Sequence, residues 1–260
     1  MSHSTSPATG PGYEPRPSGD IGVSLGFGEY ARIGHLYPSG GLVDYEVQLM
    51  APDGVQLVTT RMPYRGSALA DDLALLDDLE EHSRLLGDAE VDLIAMNCTA
   101  ATLLAGADAV NERIRASTDI PSTTTIEAVL DALAAVGARR IALMTPYVAE
   151  VTEAEIAFLG ARGIEVTACV SDPCTTPVEQ GSREPGTWLA LAGRLRNADA
   201  DALLISCAGI RLAPVLSAIE EDFGRPVIAS NPALLLKCLQ MTGVPARPAG
   251  FGSLLAGAFE

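Results

Sequence analysis

Apolar and polar positions follow two rhythms along this chain. Short, nearly continuous apolar runs recur: RIGHLYP (Arg32 to Pro38), GVQLVTTRMPY (Gly54 to Tyr64), VDLIAMN (Val91 to Asn97), RRIALMTPY (Arg139 to Tyr147), IEVTACV (Ile164 to Val170), ADALLISC (Ala200 to Cys207) and RPVIAS (Arg225 to Ser230). Runs this short and this apolar read as strands buried on both faces. Between them lie segments whose apolar residues recur every three to four positions, over 68–86, 100–115, 151–162 and 187–197, with a short helix ahead of Gly54. Strands alternating with amphipathic helices predict a parallel, doubly wound sheet.

The rhythm occurs twice. VDLIAMNCTAAT and ADALLISCAGIR share an acid, an apolar run, a small polar residue, a Cys and small residues before an expected helix. Downstream, IPSTTTIEAVLDALAAVG (from Ile120) and RPVIASNPALLLKCLQMTG (from Arg225) share a Pro-led strand, a Ser/Thr/Asn cluster suited to a helix N-cap, and an apolar helix closed by Gly. The expected organisation is therefore α/β, with two pseudo-symmetric doubly wound lobes, each built on a parallel four-stranded sheet. The first lobe is expected over 21–127 plus 232–260, the second over 128–231, and the last helix should return to the first lobe. Residues 1–20, rich in Ser, Pro and Gly, read as a disordered arm. Ligands in such sheets sit beyond the carboxyl ends of the strands, where Cys98, Tyr147 and Cys207 all fall, so the site is expected in the interlobe cleft.

Composition narrows the partners. With 17 Lys+Arg against 33 Asp+Glu, the net charge of -16 argues against nucleic acid, whose binding rests on a basic surface. Any small anion must be held by local donors such as backbone N–H groups and hydroxyls. No apolar run reaches the roughly 20 residues of a membrane span and no signal-peptide core opens the chain, so a cytoplasmic location without membrane association is expected. Five cysteines, an odd number, read as thiols, and none stands in a metal-ligand pattern; neither metal nor cofactor is expected. Homo-oligomerisation is left open.

A single Cys after an apolar strand is usually core. Two in equivalent places read instead as a catalytic pair, each expected at a helix start that favours thiolate. Thr99 beside Cys98 and Gly209 beside Cys207 allow a carboxylate to approach backbone N–H groups, an oxyanion hole in outline. Tyr147 could present its hydroxyl to the same carboxylate or simply pack over a loop. Gly40 and Gly41, in the turn after the first strand, could face the ligand or form a plain turn. Cys238 reads as core, and Cys174 lies on a loop that could cover the site.

At these residues the chain resembles the aspartate/glutamate racemase superfamily, in the branch of maleate cis-trans isomerase and arylmalonate decarboxylase. The likeness runs over about residues 31 to 255 and rests on the paired cysteine strand ends and the Thr-Pro-Tyr turn at Tyr147. It implies a two-lobed fold, a cofactor-independent reaction and a small carboxylate or dicarboxylate in the cleft. Cys98 matches the first cysteine of racemases and isomerases, where the decarboxylase has Gly; Cys207 matches the second, the decarboxylase's proton donor. Thr99 and Tyr147 match residues of the carboxylate pocket. Gly41 stands where isomerases show Asn, Ala100 where Ser is expected, and Ala208-Gly209 where isomerases tend to have Thr-Asn. The leading expectation is an isomerase or racemase using both thiols. The alternatives are a decarboxylase with Cys207 as proton donor and a non-catalytic carboxylate binder.

Overall fold

The computed structural model describes residues 28–260; the arm expected over 1–20 lies outside the described residues. The strands are β1 (Ala31–Pro38), β2 (Val55–Met62), β3 (Leu93–Met96), β4 (Ser122–Thr124), β5 (Arg140–Thr145), β6 (Glu165–Ser171), β7 (Ala202–Ile205) and β8 (Val227–Ala229). The helices are α1 (Tyr45–Met50), α2 (Leu69–Ala74), α3 (Leu79–Gly87), α4 (Thr99–Ala105), α5 (Ala107–Thr118), α6 (Thr125–Ala135), α7 (Ala149–Gly160), α8 (Pro177–Ser182), α9 (Pro185–Gly193), α10 (Leu216–Phe223) and α11 (Ser230–Met241). Two four-stranded parallel sheets result, in orders β2-β1-β3-β4 and β6-β5-β7-β8. The fold is the expected α/β arrangement, with the same strand order in both halves.

The central strands β3 and β7 are apolar throughout because both their faces are covered, whereas the edge strands β2 and β6 carry polar residues and are partly exposed. Successive side chains point to opposite sides of a strand, and the core divides accordingly. Leu93 and Ala95 of β3, and Leu143 of β5 and Leu204 of β7, face one cluster shared with α6 and α11. Ile94 and Met96 face the cluster holding Leu79 and Leu86 of α3 and Ile114 of α5. Ala142, Met144, Leu203 and Ile205 face a third, centred on Trp188 and the α10 residues Leu216 and Ile219. Helix α11 packs on α6, α1, β3, β4 and β8, so the shared cluster joins the two sheets.

Three helical segments depart from the periodicity. The one expected over 68–86 is two helices, because i→i−3 turns at Leu76 and Asp77 bury both Leu75 and Leu76, which a regular helix would point about 100° apart. The one over 100–115 breaks at Gly106, whose φ of +86° suits glycine and few other residues. The expected 187–197 helix begins at Pro185, whose fixed φ favours the first helical turn, and ends at Gly193. Helix α8 follows directly on the Cys174 loop, in a stretch where no element is expected from the sequence.

Candidate functional site

Both cysteines stand at the carboxyl ends of central strands, as expected, but in different local settings. Cys98 is the N-cap of α4, in extended conformation, and its carbonyl accepts from Thr102 N and from Thr102 Oγ1 at 2.7 Å. Cys207 is followed by an extended loop and not by a helix, since α10 begins only at Leu216; its φ of +134° is strained for an L residue, worth about 1–3 kcal/mol.

Contacts from distant elements hold that strained loop. Cys207 N donates to Ser230 Oγ at 3.1 Å, and Ser230 Oγ pairs with Thr99 Oγ1 at 2.9 Å, which ties the two cysteine-bearing strand ends together. The Ala208 carbonyl accepts from Asn231 Nδ2 at 3.2 Å and from the Tyr37 hydroxyl at 3.4 Å. The buried Glu46 carboxylate accepts from Leu212 N at 2.6 Å, from Ala213 N at 2.8 Å and from Asn231 Nδ2 at 2.8 Å. Asn231 Oδ1 accepts from Asn97 Nδ2, which also donates to His35 Nε2 at 3.0 Å, while Thr125 Oγ1 donates to Asn97 Oδ1 at 2.8 Å. His35 is fully buried, and burial lowers its pKa to about 3, so the ring is neutral and accepts at Nε2.

The two thiols line one narrow cavity, of about 20 Å³, together with Tyr37, Pro38, Gly41, Tyr64, Asp72, Asn97, Thr99, Ala100, Tyr147, Pro177, Gln180, Ala208 and Gly209. Of the residues expected in the site from the sequence, Gly40 is the one outside that lining. Its N–H donates to the Tyr64 carbonyl, and Gly41 N–H donates to the Pro38 carbonyl, so both amides are taken up by the protein's own carbonyls. Gly41 is needed for closeness: a Cβ there would lie 2.5 Å from the Tyr37 ring. Cys238 is core; the Cys174 carbonyl accepts from Ser67, and helix α8, just beyond Cys174, supplies Pro177 and Gln180 to the cavity.

Burial dominates the electrostatics. The Cys207 thiol is pushed up to about 12 by burial, against the Gly209 N–H, 3.2 Å from Sγ, and the Tyr147 hydroxyl, which favour thiolate. The Cys98 thiol is raised by burial and by the Asp72 charge, against the Ala101 and Ala100 N–H groups. The thiolate expected from a helix start is therefore not the resting form, because desolvation outweighs the amides at the start of α4. Both thiols rest protonated near neutral pH. A resting thiol is a proton donor, and the surrounding amides and the Tyr147 hydroxyl can stabilise negative charge when it forms.

Tyr37, Tyr64, Asp72, Gln180 and Glu46 carry no mark of a site in the sequence. Asp72 lies in a segment whose period marks an exposed acidic helix, yet it is 1% exposed and accepts from the Tyr64 hydroxyl at 2.7 Å. Asn97 and the Ser230-Asn231 pair carried a usable signal, polar residues ending apolar strands. Within the Ser/Thr cluster, Thr124 caps α6, and Thr125 serves Asn97.

A family model described as arylmalonate decarboxylase matches residues 37–255. Arylmalonate decarboxylase of Bordetella bronchiseptica is 31% identical over 188 residues, 70% of this chain and 78% of that protein. Maleate isomerase of Geobacillus stearothermophilus is 26% identical over 199 residues, 73% of this chain and 79% of that protein. The crystal structure of a double mutant of arylmalonate decarboxylase, in its liganded form, superimposes with a TM-score of 0.80 at 27% identity, covering 86% of this chain and 98% of that one.

Proposed function

Since the chain belongs to the arylmalonate decarboxylase family, we propose that it is an isomerase of a small unsaturated carboxylate, worked by the Cys98 and Cys207 thiols. One observation carries the reading: two thiols from corresponding strand ends of the two halves line a single cavity. The relative from Geobacillus is a maleate isomerase, and a cis-alkene acid suits a thiol pair. As the ligand seats, Cys98 gives its proton to water, and its sulfur bonds to one alkene carbon. The electron pair moves onto the other carbon, beside the carboxylate, and Cys207 protonates that carbon. Rotation about the new single bond follows; Cys207 thiolate takes the proton back, the C–S bond breaks to release the trans acid, and Cys98 thiolate regains a proton from water. The amides at Ala100 and Ala101 stabilise the Cys98 sulfur, and Gly209 N–H and Tyr147 stabilise the Cys207 sulfur.

The test is conversion of maleate to fumarate, followed by NMR. Cys98→Ala and Cys207→Ala should each lower turnover by about 10²–10⁴-fold; full activity in either variant sinks the mechanism. The second reading, decarboxylation of a malonate, is favoured by Gly41 and by the resting thiol at Cys207, since that reaction needs only one proton donor. It requires carbon dioxide release from phenylmalonate to survive Cys98→Gly and to vanish in Cys207→Ala.

A further inference from the structure

The cavity's walls are chemically unequal. Among the described residues that line it there is no Arg, Lys or His, and one side chain is an acid, Asp72. Asp72 is almost wholly buried and belongs to α2, which packs on α4, the helix that Cys98 caps. The Tyr64 hydroxyl donates to its Oδ1 at 2.7 Å, which fixes the carboxyl group and supports its ionised form. Its charge reaches both thiols, raising Cys98 and Cys207. A ligand that seats a carboxylate by the thiols therefore brings the rest of itself against a fixed acceptor. A second carboxylate there would face like charge in a desolvated site with no cation to offset it. An N–H group would find a partner.

We propose that Asp72, oriented by Tyr64, is a specificity-determining residue that selects a small carboxylate carrying an amide or ammonium donor over a plain dicarboxylate. The proposal rests on the reading of the cavity as a carboxylate site. The groups facing Asp72 are Tyr64 from the segment after β2, Cys98 at the start of α4, Cys207 after β7, and its neighbour Asp71. Burial raises the Asp72 carboxyl to about 6, while Tyr64 and both thiols are raised far enough to stay neutral well above that value. Of Asp72, Tyr64 and the two thiols, it is thus Asp72 that changes charge between mildly acidic and neutral pH.

Maleate and its monoamide, maleamate, have nearly the same shape and differ in this chemistry. Calorimetric dissociation constants, measured well above pH 6 with Cys98→Ala present to stop turnover, should favour maleamate by about tenfold. Asp72→Asn should reverse that preference by a similar factor. Maleamate, whose single carboxyl stays ionised through this range, should bind more weakly on acidification through about pH 6 when Asp72 is present and lose that step in Asp72→Asn. Tyr64→Phe, which removes the donor to the carboxylate, should move the step to higher pH; if Asp72→Asn fails to fold, this shift decides the matter. Maleate binding as tight as maleamate binding, or a preference and pH step unchanged by both substitutions, overturns the proposal while leaving the carboxylate site standing. If maleate, maleamate and phenylmalonate all fail to bind, the carboxylate reading falls and this inference with it.

Discussion

At the residue scale the molecule places polar groups in dry surroundings and leaves some of them unmatched. Glu155 of α7 is fully buried, neither of its carboxyl oxygens has a hydrogen-bond partner among the described residues, and Ser206 stands beside it outside hydrogen-bonding geometry. Burial raises this carboxyl to about 7. The folded protein prefers the neutral acid, so this group's stabilisation is complete below the ordinary value of 4.5 and is lost as pH rises through about 7. The loss amounts to roughly 3 kcal/mol. Glu155→Gln should therefore flatten the decline of unfolding free energy between those two pH values, measured by denaturant titration; an unchanged decline would place the carboxyl's proton elsewhere. Ser230 acts differently, since its one hydroxyl serves both Cys207 N and Thr99. Ser230→Ala should leave the strained amide of Cys207 unpartnered and cost about 1–3 kcal/mol of stability, with turnover falling further than in a surface control.

At the element scale, the breaks between helices matter as much as the helices. Gly106 ends α4 and opens α5 at a φ of +86°, with open space where a Cβ would stand. Gly106→Ala tests conformation alone, because nothing would clash: a loss of about 1–2 kcal/mol is expected from the backbone, read as a lower thermal midpoint. An unchanged midpoint would mean that the α4–α5 junction relaxes freely. Periodicity located these helices because their buried stripes are local properties. It did not locate the break, because Gly106 sits among residues that themselves favour helix. The acidic segment failed more instructively: composition showed Asp71, Asp72, Asp77 and Asp78 as equivalent, and only the packing of α2 on α4 turned Asp72 inward.

At the scale of the whole molecule, α6 and α11 share one apolar cluster with residues of both sheets, so the two halves are coupled through it. Leu235 of α11 is fully buried in that cluster. Leu235→Ala should cost about 2–5 kcal/mol and lower the stability of both sheets together, seen as one shifted transition by circular dichroism and by fluorescence of Trp188, which lies in the second half. Two separated transitions would show the halves to be independent. The sequence by itself determined the alternation of strands and helices, the repeat, and the positions of Cys98, Cys207, Thr99 and Tyr147 at strand ends, because those follow from local periodicity and from the direction of parallel strands. Tertiary structure alone decided that Asp72 and Tyr64 share the cavity and that Cys207 adopts a left-handed backbone. It also decided that both thiols rest protonated. Each depends on burial or on partners far away in the chain, such as Asn231 and Glu46, 185 positions apart, and desolvation is a property of everything packed around a group, which no local stretch of sequence contains.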